Sequence, residues 1–459
     1  MSYSRTWRRG LSICPTRLPR AYPLWICVCF TSRPPQIRHR FKETSKTHRK
    51  ASEFNTENHK SPKRTSPLAR KTQDKMSRSN NPGHYFQTSD ALATSERKAA
   101  KARNQRGQPI KLPSKILAAV AAPTGSNSIY VAEAAGQVQR VDLSAARAEK
   151  IFIGSAAPLT CLAVGGDGMV YAGSWDKSIY AIEPNTREVK RLQGHTDFVK
   201  CLLVAQLASK PVLISGGADA TIIVWDISPS DEGSYFGKVL HKLKSPTKAL
   251  QDLAIDLSTS TPDSLVLFSA SSDREIRRWK ISSSDAAEIT SDETPLRPHE
   301  TSIYRLRWDQ SGDGDLWTAS ADKTAKHLSR AQNFSADTIL DHPDFVRDVL
   351  PFDDLGLVVT ACRDEEVRVW DIASGKLVHT YSGHYEEVTG LVASETGKVV
   401  ISVSIDGTVR RWGLLKGDMA MYQQEVENER NQEANGNGGV AEMTAEEEAE
   451  LAELMEDSD

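Results

Sequence analysis

The chain has 459 residues, with 58 Lys and Arg against 60 Asp and Glu for a net charge of −2, 39% hydrophobic residues and six cysteines. This is enough apolar material for a sizeable core and too few cysteines for a disulfide-stapled scaffold. No run of about 18 consecutive apolar residues occurs, which excludes a bilayer-spanning helix.

The near-zero charge hides opposed blocks. Residues 1–75 hold 18 Lys or Arg against 4 Asp or Glu, residues 76–111 hold 7 against 2, residues 112–415 hold 31 against 40, and residues 416–459 hold 2 against 14. A basic head and an acidic tail therefore flank a moderately acidic middle. The head places eight arginines ahead of its first acid, Glu43. It reads as a basic, low-order extension over 1–75: a mitochondrial transit segment, a plain basic tail, or non-native upstream sequence with Met76 opening the chain proper. The apolar run from Leu24 to Phe30 is too short and too deep behind basic residues for a secretory signal. Cys14, Cys27 and Cys29 lack the paired spacing of a metal site. Residues 76–107 read as a basic linker. Within it, Glu96 to Arg106 (ERKAAKARNQR) reads as a helix with cations around most of its surface, either solvated or contacting nucleic acid or an acidic protein.

From residue 108 to residue 415 an internal repeat takes over. Its clearest units are GHTDFVKCLLV…VLISGGADATIIVWDI, HPDFVRDVLPFDDLGLVVTACRDEEVRVWDI and GHYEEVTGLVASETGKVVISVSIDGTVRRWGL. Each joins a His or Gly-His start to short apolar runs and an Asp six residues before a Trp. That Asp is Asp176, Asp219, Asp273, Asp322, Asp364 and Asp406, with Ala135 in a degenerate first unit, at spacings of 41, 43, 54, 49, 42 and 42 residues. The position six residues on holds Val141, Ile182, Trp225, Trp279, Leu328, Trp370 and Trp412. Seven units of short strands separated by turn residues predict an all-β, seven-bladed β-propeller of four-stranded antiparallel blades.

These residues resemble those of the WD-repeat family, and the resemblance covers roughly residues 108–415. It implies that a His before the first strand, a Ser or Thr on the second, the turn Asp and the Trp share one hydrogen-bonded network. On this chain that network is complete for His195, Ser215, Asp219 and Trp225; for His342, Thr360, Asp364 and Trp370; and for His384, Ser402, Asp406 and Trp412. It is partial for His299, Thr318 and Asp322, where Leu328 replaces Trp, and for Ser269, Asp273 and Trp279, which lack a His. The first two units keep least. A His, Ser and Asp together invite a hydrolase reading, but a trio built three times over beside a buried Trp is structural. The resemblance also implies ring closure by an N-terminal strand, expected at Gln108 to Leu112 (QPIKL), which relieves an open sheet edge.

No phosphate-binding loop, HExxH or paired CxxC occurs, and GGDG at Gly165 to Gly168 fits a hairpin turn. Cys161, Cys201 and Cys362 fall on apolar patterns as core residues. No catalytic residue, cofactor, metal or small-molecule substrate is expected. The function left standing is that of a non-catalytic scaffold or adaptor, holding a partner protein or peptide within a multi-subunit complex in the cytoplasm or nucleus. The alternative is a WD-repeat subunit of a nuclear RNA- or DNA-associated complex, such as one for ribosome assembly, reached through the basic head.

The resemblance places partners on the narrow face, where loops before first strands meet the tight turns beside the Asp. Those positions hold Pro158, Phe198, Ala249, Ser302, Phe345 and Glu387 in the loops, and Trp175, Ala218, Ser272, Ala321, Arg363 and Ile405 in the turns. Trp175, Phe198, Phe345, Arg363, Tyr385 and Glu387 are the candidate partner-binding residues, aromatics and Arg being the types that dominate interfaces. After Trp412 no strand signal follows. Residues 416–459 read as a disordered acidic tail, with one short helix from Thr444 (TAEEEAELAELMEDSD), either solubilising or partner-binding.

Overall fold

A computed structural model of the chain describes residues 89–436, apart from 124–126, 229–235, 245–247, 292–293 and 311. The basic head and the helix expected from Thr444 lie outside the described residues. Within them, strands assemble into seven four-stranded antiparallel sheets. Six of these blades use consecutive strands, over residues 116–153, 159–193, 199–244, 250–288, 303–341 and 346–382. The seventh combines Val388–Ala393, Val399–Ser404 and Thr408–Gly413 with Ile110–Lys111, which pairs antiparallel through Ile110 to Val409 and Lys111 to Thr408. The innermost strand of each blade packs on that of the next, and Val388–Ala393 packs on Ile116–Ala121.

Alternation along the strands supplies the packing. Buried Val, Ile, Leu and Trp side chains from adjacent blades share clusters, as Trp225, Leu213 and Ile223 do with Tyr171, Ile179 and Ala181. Each blade turns between its second and third strands on a residue with positive φ: Gly136, Lys177, Ala220, Arg274, Lys323, Glu365 and Gly407. Left-handed backbone is costly for a residue with Cβ. The preceding Asp offsets that cost, because its carboxylate accepts the amide N–H two residues on in every blade but the first, at 3.0 Å from Ser178 to Asp176 and 2.7 Å from Thr408 to Asp406. The first blade has Ala135 there and meets the turn with Gly136 instead.

Two helices flank the ring. Helix α1 spans Ser89–Lys101, seven residues ahead of the expected start at Glu96, and ends before Arg106. Its last turn docks on the ring: Arg97 pairs with Glu365 at 3.0 Å, Lys98 with Glu386 at 2.8 Å, and Lys101 with Glu365 and Glu366 at 3.0 and 2.8 Å. Helix α2 spans Lys416–Gly436, where the sequence reads as a disordered tail. Met419 and Tyr422 are buried against Tyr381, Trp412 and Leu414, with Val426 packed alongside. Three apolar residues at helical spacing in an otherwise polar stretch seat the helix, and Tyr422 adds hydrogen bonds to the Ser382 amide and carbonyl at 2.8 and 2.7 Å.

Candidate functional site

The repeated polar cluster is sealed inside the blades. In the blade over 199–244, His195 Nδ1 faces Asp219 at 3.1 Å and Nε2 meets Ser215 Oγ at 2.8 Å, while Trp225 Nε1 donates to the same Oγ at 2.8 Å. The seventh blade repeats this with His384, Asp406, Ser402 and Trp412 at 2.9, 2.7 and 2.8 Å. Burial lowers the pKa of His195 and His384 against the opposing pull of their aspartates. The neutral imidazole then carries its proton on Nδ1 and accepts from Ser on Nε2. Burial also pushes the Asp219 carboxyl up, but bonds from Thr221, the Thr196 amide and His195 outweigh it and hold the pKa at about 2. Ser215, Ser402, Thr360 and Thr318 are fully buried, so none of these hydroxyls can reach a substrate. The Gly before the His is needed for space, since a Cβ on Gly194 would lie 2.7 Å from Trp225 and one on Gly383 2.8 Å from Trp412.

One network differs from the sequence expectation. His342 reaches Thr360 at 2.8 Å and Trp370 donates to Thr360 at 2.9 Å, but His342 Nδ1 turns to the Leu340 carbonyl at 3.0 Å rather than to Asp364. Asp364 is held by both guanidinium nitrogens of Arg368, at 3.1 and 2.6 Å. The cause lies two residues after the Asp. Blades that keep the His–Asp contact carry Thr221, Thr324 or Thr408 there, each bridging His and Asp, whereas this blade carries Glu366. That Thr is a network member the sequence reading missed, although its recurrence was visible. The cluster at His299, Thr318 and Asp322 holds without an indole, at 2.8 Å for both contacts of the ring. Trp279 donates to Ser269 at 2.8 Å without a His.

At the narrow face, loop and turn are tied by one backbone bond in each of six blades. Trp175 N–H donates to Pro158 at 3.0 Å, Ala218 to Phe198 at 2.7 Å, Arg363 to Phe345 at 2.9 Å and Ile405 to Glu387 at 3.0 Å, with Ser272 to Ala249 and Ala321 to Ser302 alike. This brings Trp175 and Phe198 together from neighbouring blades. Their rings stack at 5.1 Å and 14°, with 42% and 36% of each residue still exposed. Arg363 lies over the half-buried Phe345 ring at 5.1 Å. Tyr385 is tied down, donating to the Asp406 carbonyl at 3.0 Å, and Glu387 pairs with Arg347 at 2.7 Å. Glu365 and Glu386, which anchor α1, also belong to these turns and loops, so the face carries α1 on one side and the aromatic pair on another.

Each innermost strand is also bulged at the same place, leaving one extra residue: Leu117, Thr160, Lys200, Gln251, Tyr304, Arg347 and Thr389. All seven line a cavity of about 250 Å³ at the channel mouth, which Trp175 and Glu387 share. Thr160 and Thr389 bind backbone carbonyls of the next blade at 2.5 and 3.1 Å. Arg347 lies over the Tyr304 ring at 4.3 Å. Beneath the mouth, Arg305 pairs with Asp252 at 3.5 Å and Asp348 at 3.2 Å, while these carboxylates accept the Leu306 and Leu391 amides at 2.8 and 3.0 Å. Lys200, Tyr304 and Arg347 are the residues here that sequence reading missed; they stand two positions beyond the loop residues it singled out. Cys161, Cys201 and Cys362 are buried free thiols, and burial pushes Cys161 and Cys362 up to about 12, far from nucleophilic.

A closed ring of seven four-stranded blades, with its recurring polar clusters sealed inside them, defines a β-propeller built from a repeat. The chain belongs to the WD-repeat family. The family model for the WD domain, G-beta repeat, matches residues 186–226, 335–371 and 375–413. An uncharacterized WD repeat-containing protein of Schizosaccharomyces pombe is 35% identical over 390 residues, covering 82% of this chain and 99% of that protein. The nuclear distribution protein nudF of Aspergillus niger is 28% identical over 192 residues, 42% of this chain and 40% of that protein. Pre-mRNA-processing factor 19 of Bos taurus is 26% identical over 183 residues, 39% of this chain and 32% of that protein. The chain thus spans less than half the length of these last two.

Proposed function

We propose that this protein is a non-catalytic adaptor that holds a partner protein or peptide on the narrow face, within a multi-subunit complex. The observation that carries the reading is the exposed Trp175–Phe198 stack, two large rings held by backbone bonds at a rim where neither has a core to enter. Phe345, Arg363, Tyr385 and Glu387 flank it as a second, more internally bonded sector. Free thiols in the ring fit a reducing compartment, cytoplasm or nucleus.

Affinity purification from the native host, followed by mass spectrometry, tests this with wild type against Trp175→Ala/Phe198→Ala. The expected result is loss of a specific partner from a variant whose unfolding midpoint is unchanged. A partner set identical in both sinks the assignment. The alternative, RNA or DNA association through residues 1–75, is supported by their charge of 18 cations against 4 acids. It predicts partner recovery that falls steeply with salt and survives the aromatic change.

A further inference from the structure

The mouth of the channel has a definite charge chemistry. Of the seven bulged residues two are cations, Lys200 and Arg347, and none is an acid. Arg347 is engaged by Glu387 and stacked on Tyr304. Lys200 forms no ion pair among the described residues, and the carboxylates around it are engaged elsewhere. Asp197 accepts the Phe198 amide at 2.8 Å, Asp252 holds Arg305 and the Leu306 amide, and Glu387 holds Arg347 at 2.7 Å. Burial, and then the neighbouring Arg347, lower the Lys200 pKa, the signature of a cation lacking a counter-charge. Trp175, half of the exposed aromatic stack, lines the same cavity.

We propose that the mouth takes an Asp or Glu side chain of a partner peptide, with the carboxylate on Lys200 and an adjacent apolar or aromatic side chain on Trp175 and Phe198. This rests on the narrow-face reading above and adds the chemical class of the partner. One free ammonium matches one carboxylate, whereas a phosphoryl group carries a charge of about −2 and is best met by arginine forks. The arginines at hand are already paired.

The test pans a phage-displayed library of random twelve-residue peptides against the full chain and measures the strongest binder, fluorescein-labelled, by anisotropy. Enriched peptides are expected to carry Asp or Glu within a few residues of Trp, Phe or Leu. Binding is expected to weaken at least tenfold on Lys200→Glu, on Trp175→Ala and when the peptide's acid becomes its amide. Lys200→Met keeps the side-chain stem and serves if Lys200→Glu does not fold. Peptides lost on Trp175→Ala but indifferent to both Lys200 variants overturn the acidic assignment and leave the adaptor reading standing. No enrichment, or binders indifferent to every change, overturns both. A phosphoserine version binding more than tenfold tighter transfers the site to phosphopeptides, and displacement by a peptide of residues 437–459 at equal affinity makes the chain's own tail the occupant; either result overturns the proposal.

Discussion

In the seventh blade His384, Ser402, Asp406, Thr408 and Trp412 form an unbroken hydrogen-bonded chain, and around it Arg410, 1% exposed, takes Asn104 at 2.7 Å while Arg106 pairs with Glu429 of α2. In the second blade Ser155 stands at the histidine position and reaches Ser174 at 3.0 Å and the Ala157 carbonyl at 2.8 Å but not Asp176, which turns to Tyr180 and Arg191. The seam blade, where Ile110–Lys111 pairs with Thr408–Gly413, engages its polar groups internally, and α1 bridges its entry loop at Glu386 to Glu365 and Glu366 of the sixth blade. The second blade has no such latch, and its turn presents Trp175 to solvent. Local polar satisfaction and an open interaction rim therefore belong to different sectors of one ring.

The largest expected effect tests the latch. Trp412→Ala removes a buried indole and its bond to Ser402, and is expected to lower stability by about 3–5 kcal/mol in urea unfolding. A loss under about 1 kcal/mol would show that the seam does not hold the ring.

Next comes acid. His342 has its pKa lowered by burial to about 4, with Arg368 adding to the effect. The folded state therefore takes up its proton later than the unfolded chain, whose histidine titrates near 6.5. Stability from this group is full above about pH 6.5 and lost as pH falls toward 4, up to about 3 kcal/mol. Asp219, lowered to about 2, extends the loss from about pH 4 downward. His342→Gln should flatten the upper part of this profile, and an unchanged slope between pH 6.5 and 4 would contradict the assignment.

A direct comparison of the two blades is smaller. His384→Ala strips Asp406 and Ser402 of a partner at once and should cost about 2–3 kcal/mol, against less than about 1 kcal/mol for Ser155→Ala. Equal losses would erase the distinction between the sectors. The smallest effect is at α1, whose ion pairs are partly exposed and worth about 0.2–1 kcal/mol each. Amide exchange in Ser89–Lys101 should quicken at high salt and in Lys101→Ala, with blade amides unmoved. Protection indifferent to salt would mean that something other than charge seats the helix.

Much of the ring was legible because the repeat is local. An Asp every 41 to 54 residues marks a turn that recurs seven times with one substitution, and Ser or Thr with Trp marks the strand pair beside it. The exception at Asp364 arose because the Arg368 guanidinium takes that carboxylate and Glu366 stands where the other blades carry the bridging Thr, a pairing no period reports. Helix α2 was missed because Met419, Tyr422 and Val426 make a stripe too thin to stand out until Tyr381 and Trp412 are there to receive it.

By itself, then, the sequence determined the number of blades, the turn chemistry and the identity of most sealed polar clusters, since each is set within one unit of chain. Tertiary structure alone decided which distant residues converge. Cations of α1 meet Glu365, Glu366 and Glu386 across 264 to 288 residues of chain, and Lys200 meets Arg347 at a mouth built by one bulge from every blade. The reason is geometric: strand period and turn preference act over a few residues, whereas position around the ring follows from the packing of all seven blades together.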